Sequence, residues 1–195
     1  MQSDNTASFY DDNAPVYAGR RRRLPLERLN EFLAALPPHG AILELGCGGG
    51  HDSAYMRSKG YEVTPTDGSA GMAKEAEKLL GTAVRVMLAE ELEAEDAYDG
   101  IWAEASLLHV PRATLPDVLQ RIHRALKSGG VFHASFKEGS AEGHDAFGRY
   151  YNYPSPTWLT GLLHKGGWST VSMAQAAGGG YDDQPTSWLY LKAQK

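Results

Sequence analysis

Residues Ala41-Ile42-Leu43-Glu44-Leu45-Gly46-Cys47-Gly48-Gly49-Gly50 decide how this chain reads. The apolar run Ala41 to Leu43, continued by Leu45, predicts a buried strand, and the segment from about His51 to Lys59 predicts a helix. Between them lies a tight glycine turn. Glycine has no Cβ, so such a turn takes positive φ, and a ligand can lie against bare backbone. The helix start behind it offers unpaired N–H groups to an electron-rich ligand group. Glu44 is unusual at the end of a buried strand. A buried carboxylate is costly unless partnered, so a cation or fixed donors are expected near it. A P-loop needs a lysine after its glycines, and none follows. The dinucleotide fingerprint Gly-x-Gly-x-x-Gly would end at His51 rather than glycine, which argues, with Glu44, against a nicotinamide-dependent oxidoreductase. The pattern acid-x-Gly-x-Gly-x-Gly remains, and Glu44, Gly46, Gly48 and Gly50 fill it.

The 195 residues suit one domain of ordinary size, and 42% hydrophobic residues suffice for a core. The net charge of −5 gives no global field favouring nucleic acid. A single cysteine rules out an internal disulfide and a cysteine-based zinc site, and the seven histidines show no metal-binding spacing. No apolar run reaches membrane-spanning length, and the polar N-terminus has no signal-peptide core, so a cytoplasmic protein is expected.

Outward from the glycine turn, strands and helices alternate. Residues 1–23 form a polar stretch that reads as a mobile arm or lid carrying Phe9, Tyr10 and Tyr17. Its end, Arg20-Arg21-Arg22-Arg23, reads as a solvated face or as an anion clamp. Residues 24–136 read as a cofactor-binding core. Leu26, Leu29, Phe32, Leu33 and Leu36 recur at helical spacing before Pro37-Pro38. Strands are expected at 61–66, 83–88, 98–103 and 130–136. A helix with Met72, Ala73, Ala76, Leu79 and Leu80 on one face lies between the first two. Thr114 is placed to cap a helix through Leu115, Val118, Leu119, Ile122 and Leu126, with Gly129 just past its end. Residues 137–156 break the rhythm as a substrate-side insert rich in tyrosine, which with the N-terminal arm is left for substrate recognition. A C-terminal unit, 157–195, carries a helix and two strands at 168–174 and 187–193, joined by a flexible loop of Gly178-Gly179-Gly180 and Asp182-Asp183. Strands separated by helices require crossovers, which gives an α/β fold: a mostly parallel sheet covered on both faces. A single domain spans 1–195.

Open parallel sheets bind ligands beyond the carboxyl ends of their strands. Asp67 ends the second strand roughly twenty residues after the turn, where an acid with two acceptor oxygens suits a ribose diol. The competing reading of Asp67 is a helix N-cap, a task that Ser69 would do equally well. Gly68 follows it. Met72 is a core residue that would also lie along an adenine ring. Ala89 and Glu90 leave the third strand with an N–H and an acid for adenine. The fourth strand delivers Ala103, Glu104 and His109.

These segments together resemble the class I S-adenosylmethionine-dependent methyltransferases from about residue 24 onward. Asp99 to Val110 looks like the family's fourth-strand motif. Ala125-Leu126-Lys127-Ser128-Gly129-Gly130 looks like its entry to the fifth strand, with Ser128 where proline is commoner. The resemblance implies a Rossmann-like three-layer sandwich of seven strands, the last antiparallel and inserted beside the fifth. It implies S-adenosyl-L-methionine as cofactor. Glu44, Gly46, Cys47, Gly48 and Gly50 would face the methionine end, Asp67 the ribose, Glu90 the adenine, and Ala103 or its neighbour the amino group. Leu88 stands where the family often has Asp. The compact layout is similar to small bacterial methyltransferases of the tellurite-resistance and thiopurine type.

Methyl transfer is an in-line displacement, so alignment and water exclusion carry the catalysis. His109, Glu104 and Tyr151 are the candidate catalytic residues, His109 because it titrates near neutrality. A soft anion would need no base, and Arg149 or the arginine run would position it. Tyr10, Tyr17, Tyr150, Tyr151 and Tyr153 are candidates for a closing lid, or else pack the arm and insert onto the core. Cys47 reads as a small filler rather than a nucleophile. The expected acceptor is a small molecule, with no nucleic-acid or membrane partner, acted on by a monomer or homodimer. A protein that binds the cofactor without turnover is the other reading.

Overall fold

The computed structural model describes residues 3–20, 23–181 and 184–195. In chain order these form α1 (Ser3–Ala18), α2 (Leu26–Ala34), β1 (Ala41–Leu45), α3 (His51–Ser58), β2 (Glu62–Asp67), α4 (Ala70–Leu80), β3 (Arg85–Val86) and β4 (Tyr98–Ala103). There follow α5 (Leu115–Ala125), β5 (Leu126–Lys137), β6 (Gly143–His144), β7 (Tyr150–Tyr151), α6 (Pro156–Lys165), β8 (Thr170–Gly179) and β9 (Pro185–Gln194). Seven strands make one sheet in the order β3-β2-β1-β4-β5-β9-β8. β1 to β5 run parallel, and β9 lies antiparallel between β5 and β8. The expected seven-stranded Rossmann-like sandwich is therefore present.

Alternation along the strands splits the core in two. Leu43, Leu45, Ile101, Phe132, Leu189 and Leu191 face α5 and α6. Ile42, Val63, Trp102 and Val131 face α2 and α3, meeting Leu29, Phe32, Leu33 and Met56. Both faces are covered, which is why the central strands are apolar at successive positions. On α5, Leu115, Val118, Leu119 and Ile122 recur at helical spacing and are each at most 3% exposed. Each such side chain contributes about 1.5–3 kcal/mol of burial before entropy is charged against it. Trp102 crosses the second face. Its Nε1–H donates to Asp52 on α3 at 3.0 Å, and its ring stacks on His133 of β5 at 3.9 Å. No helix among the described residues is long and apolar enough to cross a membrane.

Several expectations are corrected. The N-terminal arm is not irregular: Ser3–Ala18 is a helix that lies against α4. Its apolar contact is small, so no hydrophobic stripe announces it; Ala14 is 2% exposed. A Cβ on Gly71 of α4 would fall 2.9 Å from the Asp11 backbone, so glycine there is what lets the two helices touch. Asp11 takes the N–H of Gly71 at 2.8 Å and the hydroxyl of Ser69 at 2.6 Å, capping α4 from outside its own chain segment. Gly178 and Gly179 lie in β8, paired with Thr186 and Pro185, because the long β8–β9 ladder satisfies backbone that local composition would leave as loop. Asp182 and Asp183 lie outside the described residues. The third strand shortens to Arg85–Val86. The fifth starts earlier, at Leu126, with a register irregularity against β4. The Thr114 side chain makes no cap; its hydroxyl donates to the Pro111 carbonyl at 3.2 Å. The insert carries the small β6–β7 hairpin.

The docking of α1 is testable. Asp11→Ala removes both contacts to the start of α4 and should lower stability by about 1 kcal/mol, the usual loss for a cap. An unchanged urea midpoint would show that the two Asp11 carboxylate contacts carry no energy.

Candidate active site

The carboxyl ends of β1, β2 and β4 open into one cleft of about 1200 Å³. Its floor is the glycine turn. The N–H groups of Gly46 and Cys47 both donate to the Thr66 carbonyl, at 2.9 and 2.8 Å. Gly46 sits at φ +74°, and a Cβ on it would fall 2.3 Å from that of Ser106. Ser106, in the turn after β4, donates its hydroxyl to the Leu45 carbonyl at 2.7 Å. The ends of β1, β2 and β4 are thus tied at one point.

Asp67 closes the same knot. One carboxylate oxygen takes the Gly48 N–H at 2.8 Å and the other the Ser69 N–H at 2.9 Å. Each oxygen has a second acceptor site for a hydroxyl. Burial raises its pKa to about 6, against the two backbone donors that lower it. The N-cap of α4 is Ser69, whose Oγ accepts the Met72 N–H at 3.0 Å, so Asp67 does not serve that end.

Among the residues expected at the site, Gly46, Cys47, Gly48, Asp67, Gly68, Met72, Ala89, Glu90, Glu104, His109, Tyr17 and Tyr151 line the cleft. Glu44, Gly50 and Ala103 are not in its wall. Glu44 is 3% exposed and accepts the hydroxyl of Ser53 on α3, tying strand to helix behind the turn. Gly50 begins α3 at φ +81°, facing Ala76 and Leu80. Ala103 is fully buried, and its neighbours Glu104 and Ala105 reach the cleft. Cys47 packs with Ala73, Ala76 and Val84, and burial pushes its thiol far up, away from a nucleophile.

Glu104 is engaged on both oxygens. One takes Arg28 at 3.0 Å, the other His133 at 2.8 Å, and the Arg28 guanidinium lies 3.9 Å from the centre of the Tyr190 ring. It braces α2, β4, β5 and β9 against one another. His109 is held by two contacts of different kind. Its Nδ1 lies 2.6 Å from the Tyr150 carbonyl, which can only accept, so Nδ1 carries the proton. Nε2 then accepts the Tyr10 hydroxyl at 2.9 Å. Burial lowers the His109 pKa to about 4. The imidazole is neutral and a poor store for a proton. Tyr10 itself is raised well above its ordinary range, chiefly by burial.

The arm and the insert meet over this point. Tyr150 donates its N–H to Thr6 Oγ1 at 2.9 Å. Arg149 is paired with Asp145, and the rings of Phe9, Tyr10, Phe147, Tyr151 and Tyr181 surround it. Of the arginine run, Arg20 and Arg23 line the cleft, and Arg20 lies over Tyr181 at 4.4 Å; Arg21 and Arg22 lie outside the described residues. Arg28, Trp188 and Tyr190 also line it and were not foreseen as site residues, and Lys137, the first residue of the insert, lines it too. For the β9 pair a signal existed: Trp188 and Tyr190 alternate with the inward Leu189 and Leu191. Arg28 gave none, because a cation on a helix reads as surface.

A family model described as a methyltransferase domain matches residues 17–173. This chain belongs to the class I S-adenosylmethionine-dependent methyltransferase family. It is 33% identical over 115 residues to an uncharacterized methyltransferase of Synechocystis sp., covering 58% of this chain and 52% of that one. It is 30% identical over 131 residues to the malonyl-[acyl-carrier protein] O-methyltransferase of Enterobacter lignolyticus, covering 64% and 50%. The chain thus spans about half the length of the curated relatives it matches. Among solved structures, the 1,6-didemethyltoxoflavin-N1-methyltransferase of Burkholderia thailandensis, with 1,6-didemethyltoxoflavin and S-adenosylhomocysteine bound, superimposes with a TM-score of 0.76 at 23% identity over 99% of this chain and 86% of that one. The [4+2]-cyclase SpnF superimposes with a TM-score of 0.73 at 16% identity over 97% and 94%. At these identities the likeness is one of fold. A methyltransferase fold that also serves a cyclase leaves the reaction to the side chains in the cleft.

At the cleft, Asp67 and His109 oppose each other between about pH 4 and 6.5. The folded pKa of His109 lies below its unfolded value, so the unfolded chain binds more protons and this contribution grows as pH rises. The folded pKa of Asp67 lies above its unfolded value, so this contribution is lost as pH rises from about 4 to 6. Each is on the order of 3 kcal/mol at full titration and they nearly cancel. In the Asp67→Asn protein the urea midpoint should therefore climb more steeply with pH over this window than in the parent. Identical slopes would mean that Asp67 is not raised.

Proposed function

We propose that this protein transfers a methyl group from S-adenosylmethionine to a small-molecule acceptor by in-line displacement. The observation that carries the reading is the knot of Gly46, Gly48 and Asp67 at the cleft floor. It combines bare backbone with a buried carboxylate that keeps two acceptor sites open. These residues fit the cofactor. Gly46 to Gly48 would lie along its methionine portion, Asp67 would take the ribose hydroxyls, and Ala89 and Glu90 would meet the adenine beside Met72. The backbone of Ala103 to Ala105 would receive the amino group, and Arg20 and Arg23, which line the same cleft, would be candidates for its carboxylate.

The cofactor supplies an activated methyl on a sulfonium sulfur. The acceptor's lone pair forms the new bond while the S–C pair stays on sulfur, so an anionic acceptor has no proton to lose. The protein's part is alignment and exclusion of water, and holding a near-attack geometry accounts for about 7–11 kcal/mol in favourable cases. α1 and the insert, joined through Thr6, Tyr10 and His109, would form the wall that excludes water. Tyr10 and His109 also offer a route for the proton of a neutral acceptor. The low pKa of His109 and the double engagement of Glu104 favour an acceptor that arrives already ionised.

Calorimetry of ligand-stripped protein with S-adenosylhomocysteine tests the binding half of this reading, and transfer of labelled methyl to a small-molecule panel tests the rest. Asp67→Ala should weaken that nucleoside by about 1.5–3 kcal/mol, the range for losing a charged hydrogen-bond partner. Unchanged affinity would remove the ribose assignment. Binding without transfer to any compound would favour a cofactor-binding role without turnover.

A further inference from the structure

Helix α1 touches both of the segments that supply the backbone donors of Asp67. At its C-terminal end Ala18 lies on the glycine turn. A Cβ on Gly49 would fall 3.3 Å from that of Ala18, and Nε2 of His51 stands 3.5 Å from the Ala18 carbonyl. Gly48, beside Gly49, gives its N–H to one oxygen of Asp67. Two helical turns before Ala18, and so on the same face of α1, Asp11 lies at the start of α4. A single oxygen of its carboxylate takes the Ser69 hydroxyl at 2.6 Å and the Gly71 N–H at 2.8 Å. Ser69 in turn gives its N–H to the other oxygen of Asp67 at 2.9 Å.

Ser69 is therefore the link between α1 and the cleft floor. It is 3% exposed, and each of its polar groups has a fixed task. Its hydroxyl has one proton, which goes to Asp11, while the same oxygen accepts the Met72 N–H at 3.0 Å. Without Asp11 that proton needs a new acceptor, and the start of α4 loses the contact that holds Ser69 against α1. The N–H that orients Asp67 is then less firmly placed. Asp11 itself is exposed and lies outside the cleft wall, so it acts on a bound nucleoside only through other residues. Its charge adds to burial in raising the Asp67 pKa, because the two carboxylates repel. The link is accordingly carried by the hydrogen bonds of Ser69 and not by attraction.

We propose that Asp11 is a positioning residue for nucleoside binding: seated on Ser69, it holds the Asp67 carboxylate in the orientation that takes the ribose hydroxyls. This rests on the methyltransferase reading above.

The experiment is calorimetry of the full-length protein with S-adenosylhomocysteine. The parent is titrated first. No binding there would overturn the methyltransferase reading, and an Asp67→Ala protein that binds as the parent does would remove the ribose assignment; this proposal would fall with either. Once both hold, a null result at Asp11 counts against this proposal alone. Asp11→Ala should weaken the nucleoside about fivefold or more, the lower end of the range for coupled sites. Asp11→Asn keeps an acceptor oxygen for Ser69 and Gly71 and should restore most of the affinity. In the Asp67→Ala protein, adding Asp11→Ala should cost no more than about twofold, because the carboxylate it orients is gone. A general loosening of the cleft would instead weaken both backgrounds alike. Unchanged affinity in Asp11→Ala, no recovery in Asp11→Asn, or equal losses in the two backgrounds would each overturn the proposal. Should Asp11→Ala not fold, Ser69→Ala, which deletes the shared hydroxyl and keeps the N–H to Asp67, takes its place in the same cycle and is judged by the same losses.

Discussion

The carbonyl of Thr66 takes two N–H groups at once, from Gly46 and Cys47, and the next residue, Asp67, takes a third from Gly48. Turn backbone that would otherwise need water or a ligand is thereby fastened to the end of the neighbouring strand. Everything at the site depends on this fastening. It fixes where β1 stops, orients the Asp67 carboxylate, and leaves the glycine face bare. Ser106 adds the third strand end through the Leu45 carbonyl. A side chain at Gly46 has no room, so its identity follows from packing as well as from backbone conformation.

Around that floor the cleft is built from two kinds of material. The glycine-turn side comes from β1 to β4, close together in sequence and inside the family match at 17–173. The opposite wall draws on the insert, inside that match, and on α1 and β9, which lie almost wholly outside it. Tyr10, Trp188 and Tyr190 come from these outer segments. The division has a simple physical basis. A nucleoside cofactor of fixed shape needs the same strand ends wherever it is bound, whereas the other end of the cleft is free to follow its own ligand.

Several buried charged groups are held by a polar or charged partner. Glu44 holds Ser53, Glu104 holds Arg28 and His133, and Arg149 holds Asp145 within a ring of aromatics. Such pairs add little net stability, since desolvation offsets their attraction, but losing one partner leaves a stranded charge. Their effect here is geometric: they fix α2, β5, β9 and the insert relative to the strand ends. Asp67 is the carboxylate at the cleft that keeps its burial penalty, as its raised pKa shows.

The amino-acid sequence determined the layered α/β architecture, the strand–turn–helix at Ala41 to Ser58, and the positions of Asp67 and His109. These are local matters: hydrophobic period, glycine spacing and an acid at a strand end survive in a one-dimensional string. It did not reveal that α1 is a docked helix, since what holds it is Asp11 on Ser69 and Gly71, almost sixty residues away. Nor did it reveal β8 continuing through Gly178 and Gly179, because a partner strand supplies the hydrogen bonds that glycine-rich composition seems to forgo. Tertiary structure alone decided that Glu44 turns behind the cleft, that Glu104 is occupied by Arg28 and His133, and that Lys137 stands beside Trp188 and Tyr151. Each depends on which distant side chains share a space, and burial and pairing are set by the fold as a whole rather than by neighbours along the chain.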